Sequence, residues 1–358
     1  MRLIGVEEIE KMAIGAALLG TGGGGDPYIG KLMAKQAIEK YGPVKLIDYT
    51  ELEDEDLVVP SAMMGAPTVM VEKIPSGTEA IAAFKDLENH LGKKIKATMP
   101  IEAGGVNSLI PVALAATLGI PIIDSDGMGR AFPELQMVTF YLDGINASPM
   151  VLADEKQNST LVNAIDGLYA EKIARSVTMV SGGSILDAIY PMTGAQVKQS
   201  AIHGSLTLEE EIGNIILNED HVIESLVKKL DGYVLFSGKI VDITRSTDGG
   251  FVRGSAHFEG LNEFEGQSSS VEFQNENLIC YVDGKPKAIT PDLITILDKE
   301  TGMPITTEGL RFGMRISVLG MPADEKWRTE KGIKTVGPRY FGYELDYETI
   351  ESLNEGGY

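Results

Sequence analysis

The sequence predicts two domains, α/β plus all-β: a three-layer α/β sandwich N-terminal domain with a β-barrel-like C-terminal domain. Short apolar runs alternate with helical patterns between residues 44 and 123, which indicates βαβ units and a mainly parallel sheet. From residue 232 onward, short strands are separated by turn signals, as in a small barrel or sandwich. A chain of 358 residues is also long enough for two cores.

The first domain begins with two predicted helices joined by a glycine loop. Apolar residues recur at helical spacing over 4–19, and five of the next six residues are glycine. Asp26 and Pro27 are start signals for the second helix, which runs to about Lys40. Strands are predicted over 44–49, 57–64, 95–101 and 121–123, and helices over 78–91 and 107–118.

We place the domain boundary near residue 165. Residues 1–165 form the α/β domain, and 166–358 form a helical connection and the β-rich domain. Whether the C-terminal segment packs back on the first domain is left open at this point. Helices are predicted over 158–177, 184–217 and 219–230, with a break near 191–194. Strands are predicted over 233–243, 250–259, 269–275, 278–282, 293–298 and 314–319.

The net charge of −21 argues against two classes of partner. Such a surface repels phosphate backbones and anionic membranes, so neither nucleic acid nor a membrane is expected. The single cysteine, Cys280, excludes an intramolecular disulfide, and no secretory leader or long apolar span is evident. We therefore expect a cytoplasmic protein. The acidic cluster Glu209 to Glu211 is interpreted as solvated surface.

Polar residues follow two of the predicted strands. In open parallel sheets, ligands bind beyond these carboxyl ends of the strands. Glu102 closes one strand, with Asn107 shortly after it. Asp124 and Asp126 close the next, with Arg130 in the same loop. Carboxylates there could activate water or bind a hard cation. The alternatives are a strand-to-helix turn and an Asx-type turn held by a salt bridge.

The glycine loop is a second candidate site. Its backbone N–H groups precede a helix and could hold an anion or an oxyanion. No Gly-Lys-Ser/Thr follows and a helix rather than a strand precedes, so neither a nucleotide nor a dinucleotide is expected. The alternative is a tight connection between two helices. No feature indicates a flavin.

Two further residues have a case for function. His203 lies beside Gly204 and Ser205, although a structural role has equal weight, and no H-E-x-x-H motif exists. Arg245 belongs to the polar stretch 244–251, which could reach a ligand between the domains or form a simple hairpin turn.

Several strings together resemble the S-methyl thiohydantoin desulfurase-like family. They are G-T-G-G-G-G-D-P at 20–27, M-M-G-A-P at 63–67, E-A-G-G-V-N-S at 102–108, D-S-D-G-M-G-R-A-F-P-E at 124–134, F-Q-N-E-N-L at 273–278 and V-G-P-R-Y-F-G-Y at 336–343. The resemblance implies an α/β domain with a barrel-like domain, and association with hydantoinase and oxoprolinase proteins. It also implies an activity in which water replaces a sulfur substituent on a thiohydantoin-like ring.

On this basis we expect a hydrolase-type enzyme acting on a small hydantoin-like ring. We expect Glu102, Asp124 and Asp126 to activate water, directly or through a divalent metal such as zinc held by these three and His203. The expected substrate-binding residues are Gly22, Gly23, Gly24, Gly25, Asp26, Asn107, Arg130 and Arg245. Two alternatives stay open: a non-catalytic partner of a hydantoinase/oxoprolinase-type complex, and a hydrolase of another cyclic amide. A homo-oligomer is also expected.

Overall fold

The structure is a computed structural model that describes residues 1–65, 69, 73, 75–248 and 251–355, with only the backbone of 247 and 248. Ala66 and Pro67 of the M-M-G-A-P string, and Gly249 and Gly250 of the loop after Arg245, lie outside the described residues. The strands of the first part are β1 (Arg2–Ile4), β2 (Val44–Ile47), β3 (Leu57–Gly65), β4 (Ala97–Pro100), β5 (Ile122–Ile123), β6 (Ser125–Asp126), β7 (Met150–Ala153), β8 (Ser159–Val162), β9 (Ser184–Ala188), β10 (Met192–Thr193) and β11 (Ile202–His203).

The helices lie mostly in the first part of the chain. They are α1 (Val6–Leu19), α2 (Tyr28–Tyr41), α3 (Glu79–Leu91), α4 (Ile110–Leu118), α5 (Thr139–Leu142), α6 (Gly167–Val180), α7 (Gly194–Ser200), α8 (Ser205–Asn218), α9 (Val222–Lys229), α10 (Glu330–Val336) and α11 (Ile350–Asn354). Single 3-10 turns occur at 49–51, 105–108 and 262–264.

The first sheet is mixed, not mainly parallel as predicted. Its order is β1-β2-β5-β4-β3-β9-β7-β8, with β10 added to β3, and only β2, β5, β4 and β3 pair in parallel. β7, β8 and β9 are antiparallel to their neighbours. The turn between β7 and β8 is too short for the crossover that parallel strands need.

The central strand β3 buries both of its faces. Leu57 and Val59 pack with residues of α3 and α4, whereas Val58 and Ala62 belong to a different core cluster that includes Ala170 of α6. This alternation follows from the two-residue period of a strand. Helices therefore cover both faces of the sheet, and the carboxyl ends of β3 and β4 remain at its edge.

Two predicted helices are strands in part. Residues 159–162 and 184–188 form β8 and β9, although helices were predicted over 158–177 and 184–217. All five residues of β9 are buried. A short, fully buried strand has no two-residue alternation to distinguish it from a helix, which explains the error for β9 but not for β8, where burial is partial.

The acidic cluster near residue 209 is not wholly solvated, and this prediction was wrong for one residue. Glu209 is fully buried where α8 packs against α1. A Cβ on Gly15 of α1 would lie 2.0 Å from the carbonyl oxygen of Glu209, so glycine is required for the two helices to approach this closely. Ser108 donates a hydrogen bond to the Glu209 carboxyl.

The second part is a curled antiparallel sheet. Its strands are β12 (Tyr233–Asp248), β13 (Phe251–Gly260), β14 (Ser268–Gln274), β15 (Glu276–Val282), β16 (Lys285–Ile289), β17 (Leu293–Asp298) and β18 (Arg315–Met321). The order is β16-β15-β14-β13-β12-β18-β17, and the Asn277 amide donates to the Ile294 carbonyl (2.9 Å), so β17 curls back toward β15. The predicted broad layout, α/β followed by a β-rich part, is confirmed.

Arg130 joins the two parts. Its side chain is fully buried and stacks on the Phe132 ring at 4.4 Å. All five of its N–H groups donate to protein oxygens: the carbonyls of Ala131, Pro291, Asp292 and Asn277, and the hydroxyl of Thr21. A guanidinium can do this because its planar fork points donors in fixed directions.

The chain after β18 packs back against the first domain. The Trp327 indole N–H donates to the Met128 carbonyl (2.7 Å), and the Tyr340 hydroxyl donates to Glu134 (2.7 Å). Trp327 is fully buried and meets Phe132 edge-to-face. Across the described ranges, no helix has both the length and the apolar character needed to cross a bilayer.

We predict that Arg130→Met destabilises the protein by about 3 kcal/mol or more, because it leaves buried carbonyls without donors and buried acids without a counter-charge. Urea unfolding measures this. Arg315→Met is the matched control: Arg315 is half exposed beside Glu300, so its loss should cost under about 1 kcal/mol. Equal losses in the free energy of unfolding for the two variants would show that Arg130 does not stabilise the contact between the two parts.

Candidate functional site

A cavity of about 90 Å³ lies at the carboxyl ends of β3 and β4, where β9 and the start of β15 meet them. This volume accommodates several water molecules or one small ring. Its polar lining residues are Glu102, Asn107, Glu134, Arg175, Asp187, Asn275 and Glu276, and its apolar ones include Met63, Met64, Ile101, Met128, Phe132 and Leu135. The cavity therefore combines the edge of the first sheet with one strand of the second.

Glu102 is held at the cavity wall by hydrogen bonds to both of its oxygens. The Asn107 amide donates to Oε1 (2.8 Å) and the Phe132 N–H donates to Oε2 (3.3 Å). Asn107 is fixed in turn because its Oδ1 accepts from the Met63 N–H (2.8 Å). Burial raises the pKa of Glu102 to about 7, although the hydrogen bonds from Asn107 and Phe132 act in the opposite direction. Such a carboxyl can both accept and return a proton near neutral pH.

Asp187 and Glu276 are two more buried acids on the cavity wall. Asp187 accepts from the Ala62 N–H through Oδ1 (2.9 Å), and its Oδ2 has no partner. The Oε2 of Glu276 has none either. Burial holds the pKa of Asp187 well above its usual range. The pKa of Glu276 is also raised, mainly by burial and to a smaller extent by the negative charge of Glu102. Both carboxyls are therefore harder to ionise than exposed acids.

The glycine loop packs against the second domain. The Thr21 carbonyl accepts from the Asn277 N–H (2.7 Å), and the Gly22 carbonyl accepts from the Thr307 N–H (2.8 Å). A Cβ on Gly23 would lie 2.1 Å from Oε1 of Glu276, which explains glycine at that position. Gly24 lines the cavity, whereas Gly22, Gly23 and Gly25 are not among its lining residues. The backbone N–H of Gly24 faces the Glu276 carboxyl and does not point into an open anion site.

Asp124, Asp126 and His203 are not among the residues that line the cavity. Asp126 accepts from the N–H groups of Met128 and Gly129 (2.7 Å each) and from the Ser205 hydroxyl. These bonds close its loop, which matches the Asx-type alternative. Burial raises the pKa of Asp126 to about 6.

Asp124 accepts from the N–H and the hydroxyl of Thr207 at the start of α8. His203 stacks on Tyr49 at 3.6 Å between the ring centroids and hydrogen-bonds Ser125 (2.8 Å). Within the part of the chain that the structure describes, no three His, Cys, Asp or Glu side chains are grouped to hold a metal ion. The four residues expected as metal ligands are therefore not brought together there.

Three expected substrate-binding residues contact the protein itself. Arg130 has all five donors engaged, so it cannot also orient an anionic substrate group. Arg245 donates to the carbonyls of Thr307 and Leu310, and it supports that loop. Asp26 accepts from the N–H of Tyr28, the first residue of α2 (2.9 Å), and so closes the turn before the helix, whose N-cap is Pro27 and not Asp26.

The sequence reasoning brought Glu102 and Asn107 to the site and missed Asp187, Glu276 and Arg175. A signal for Asp187 was present, because an acid inside the apolar run 185–189 is an unusual buried charge. Glu276 lay in the F-Q-N-E-N-L string, but only the tertiary fold shows which of its polar residues faces the first domain.

Fold and cavity together define a two-domain α/β protein with an acid-lined cavity where the domains meet. The sequence matches the model "S-Me-THD-like, N-terminal domain" over residues 7–164 and "S-Me-THD-like, C-terminal domain" over 165–350. The chain therefore belongs to the S-Me-THD-like family, as its sequence strings predicted.

One solved structure has the same fold. It is an X-ray crystal structure of a protein from Chromobacterium violaceum, a structural genomics target, with a TM-score of 0.80 and 22% sequence identity. The match covers 98% of this chain and 100% of that chain. At this identity the likeness shows the fold alone. The search of curated proteins found no match to the sequence.

We predict that Glu102 makes the protein less stable as pH rises. Its pKa lies near 7 in the folded protein and near 4.5 in the unfolded chain, so the stability it contributes below pH 4.5 is lost as pH rises through about 7. From pH 5 to pH 8 the free energy of unfolding should fall by roughly 2 to 3 kcal/mol more in the wild type than in Glu102→Gln. Urea unfolding at both pH values measures the difference, and parallel curves would contradict the raised pKa.

Proposed function

We propose that the protein is a hydrolase that acts on a small hydantoin-like or S-methyl-thiohydantoin-like ring in this cavity and replaces a sulfur substituent by water. The observation that carries the proposal is the Glu102 carboxyl, buried at the cavity wall, oriented by Asn107 and with a pKa of about 7. Membership of the S-Me-THD-like family supports a thiohydantoin-related role.

In the proposed reaction, Glu102 acts as base and then as acid. Its carboxylate takes a proton from water as the water oxygen attacks the ring carbon that carries the S-methyl group. The carbon–sulfur bond then breaks, and Glu102 returns the proton to the departing sulfur. The second water proton moves from the added oxygen to the ring nitrogen. Ring and water thus give a ring carbonyl and methanethiol, so atoms and charge balance. The apolar wall formed by Met128, Phe132 and Leu135 limits access of other water molecules to the ring.

Asn107 is proposed as a positioning residue. It donates to one Glu102 oxygen and is itself locked by the Met63 backbone. Its hydrogen bond favours the charged carboxylate, so it keeps the base usable at neutral pH.

We predict that Glu102→Gln lowers kcat/KM for an S-methyl-thiohydantoin by about 100-fold or more, because general-base catalysis contributes this much. Thiol release, followed with a thiol-reactive dye, measures it. In the wild type, kcat/KM should rise with pH and level off above about 7. Glu209→Gln is the matched control, since Glu209 is equally buried but does not line the cavity.

Unchanged thiol release by a folded Glu102→Gln variant would remove Glu102 from the reaction. A wild-type protein that releases no thiol from a panel of thiohydantoin rings, and is inert toward other cyclic amides, would contradict the hydrolase proposal. Co-purification with a hydantoinase-type enzyme would then favour the non-catalytic partner alternative.

We predict that Asn107→Ala moves the acidic limb of the kcat/KM profile to higher pH. Loss of the hydrogen bond to Oε1 removes a contact that favours the carboxylate, so the pKa of Glu102 should rise further. The pH–rate profile checks the direction. A uniformly lower rate with an unmoved limb would mean that Asn107 supports only the local fold.

A further inference from the structure

Two carboxyl oxygens of cavity-lining residues lack a hydrogen-bond partner within the described protein. They are Oδ2 of Asp187 and Oε2 of Glu276, both on fully or almost fully buried side chains that line the same cavity. Buried polar atoms are rarely left unpaired, because each one costs about 1–3 kcal/mol. A ligand that brings N–H groups into the cavity would supply the missing donors.

Two arginines lie at the cavity or behind it, and both are paired with protein groups. Arg175 lines the cavity, and its Nε and Nη2 donate to Glu171 (2.8 Å) and to the Pro133 carbonyl (3.2 Å). Arg130 lies behind Glu276 with all five donors used. Against them, the lining holds four acids: Glu102, Glu134, Asp187 and Glu276. The cavity is thus rich in acceptors, and its field favours a ligand with donors and positive charge over an anion.

We propose that the cavity recognises a small ring through a cationic N–C–N unit, an amidinium of the isothiourea or guanidine type, for which Asp187 and Glu276 supply the acceptors. Carboxylates pair with such planar units through charge-assisted hydrogen bonds. The inference rests on the proposed function and narrows its substrate. An S-methyl-thiohydantoin contains an isothiourea N–C–N unit, whereas a hydantoin contains a neutral urea.

This recognition would also assist the proposed chemistry. Protonation of a ring nitrogen draws electrons from the carbon between the two nitrogens, so the attack of water on that carbon becomes easier. Asp187 and Glu276 would hold the proton on the ring while Glu102 activates the water. As the carbon–sulfur bond breaks, the proton of the added hydroxyl passes to Asp187 or Glu276. The cationic ring thereby becomes a neutral urea-type ring, which binds the acids less strongly and can leave.

Binding of two inert probes of nearly equal shape tests the proposal. 2-Amino-2-imidazoline is a cyclic guanidinium, and imidazolidin-2-one is the neutral cyclic urea. Titration calorimetry of the full chain at pH 7 should show the guanidinium bound at least about tenfold more tightly. Asp187→Asn and Glu276→Gln should each lower the affinity for the guanidinium by about tenfold and change the affinity for the urea little. Glu209→Gln, buried but outside the cavity lining, should change neither.

A second readout is the release of protons. Asp187 and Glu276 line the cavity with Glu102, Glu134 and Arg175, Arg130 acts on Glu276 from behind, and burial raises the pKa of both carboxyls in the free protein. Pairing with a cation favours the carboxylate, so guanidinium binding at pH 7 should release protons to the buffer. Titrations in two buffers of different ionisation enthalpy measure this number, which should fall in Asp187→Asn.

Equal or tighter binding of the urea by the wild type would overturn the proposal, even if an Asn or Gln variant failed to fold. The proposed function is judged separately by thiol release and its dependence on Glu102. Guanidinium selectivity without thiol release would support the recognition and contradict the reaction. Thiol release without guanidinium selectivity would support the reaction and contradict the proposed recognition.

Discussion

The buried Arg130 guanidinium is the interaction on which the rest of the structure depends. It belongs to the loop after β6. It donates to the Asn277 carbonyl in β15, to two carbonyls just before β17 and to the hydroxyl of Thr21. The cost of burying this charge is offset only because every N–H has an acceptor. The same loop carries Phe132, whose N–H binds Glu102, so the domain junction and the orientation of Glu102 are fixed together.

Close backbone approach is the second constraint, and glycine makes it achievable. The loop at 22–24 lies between the turn at Gly104 and Gly105 and the start of β15, where a Cβ on Gly23 would strike the Glu276 carboxyl. The Gly24 carbonyl accepts from the Val106 N–H (3.0 Å), which ties the loop to the turn that holds Asn107. A glycine run that looks like an anion cradle is thus the packing that brings Glu276 to the cavity.

The buried acids divide into two kinds by how their oxygens are satisfied. Asp126 has donors on both oxygens and holds a loop closed. Asp187 and Glu276 line the cavity, and each keeps one oxygen without a partner among the described residues, at a cost in stability. A cost of this kind is typical of a site organised for a ligand, because an acid that was only structural could be replaced by an apolar residue. This difference separates the residues we assign to the site from those that build it.

The sequence alone determined the order of α/β and β-rich parts, most strand and helix positions, and the pairing of Glu102 with Asn107. Those features depend on local periodicity and on contacts within one turn of chain, which sequence patterns report directly. Tertiary structure alone decided that Asp187 and Glu276 share the cavity, and that Asp124, Asp126, His203 and Arg130 serve other contacts. Which side chains meet across a domain junction depends on packing between distant segments, and residue spacing along the chain carries no record of that packing.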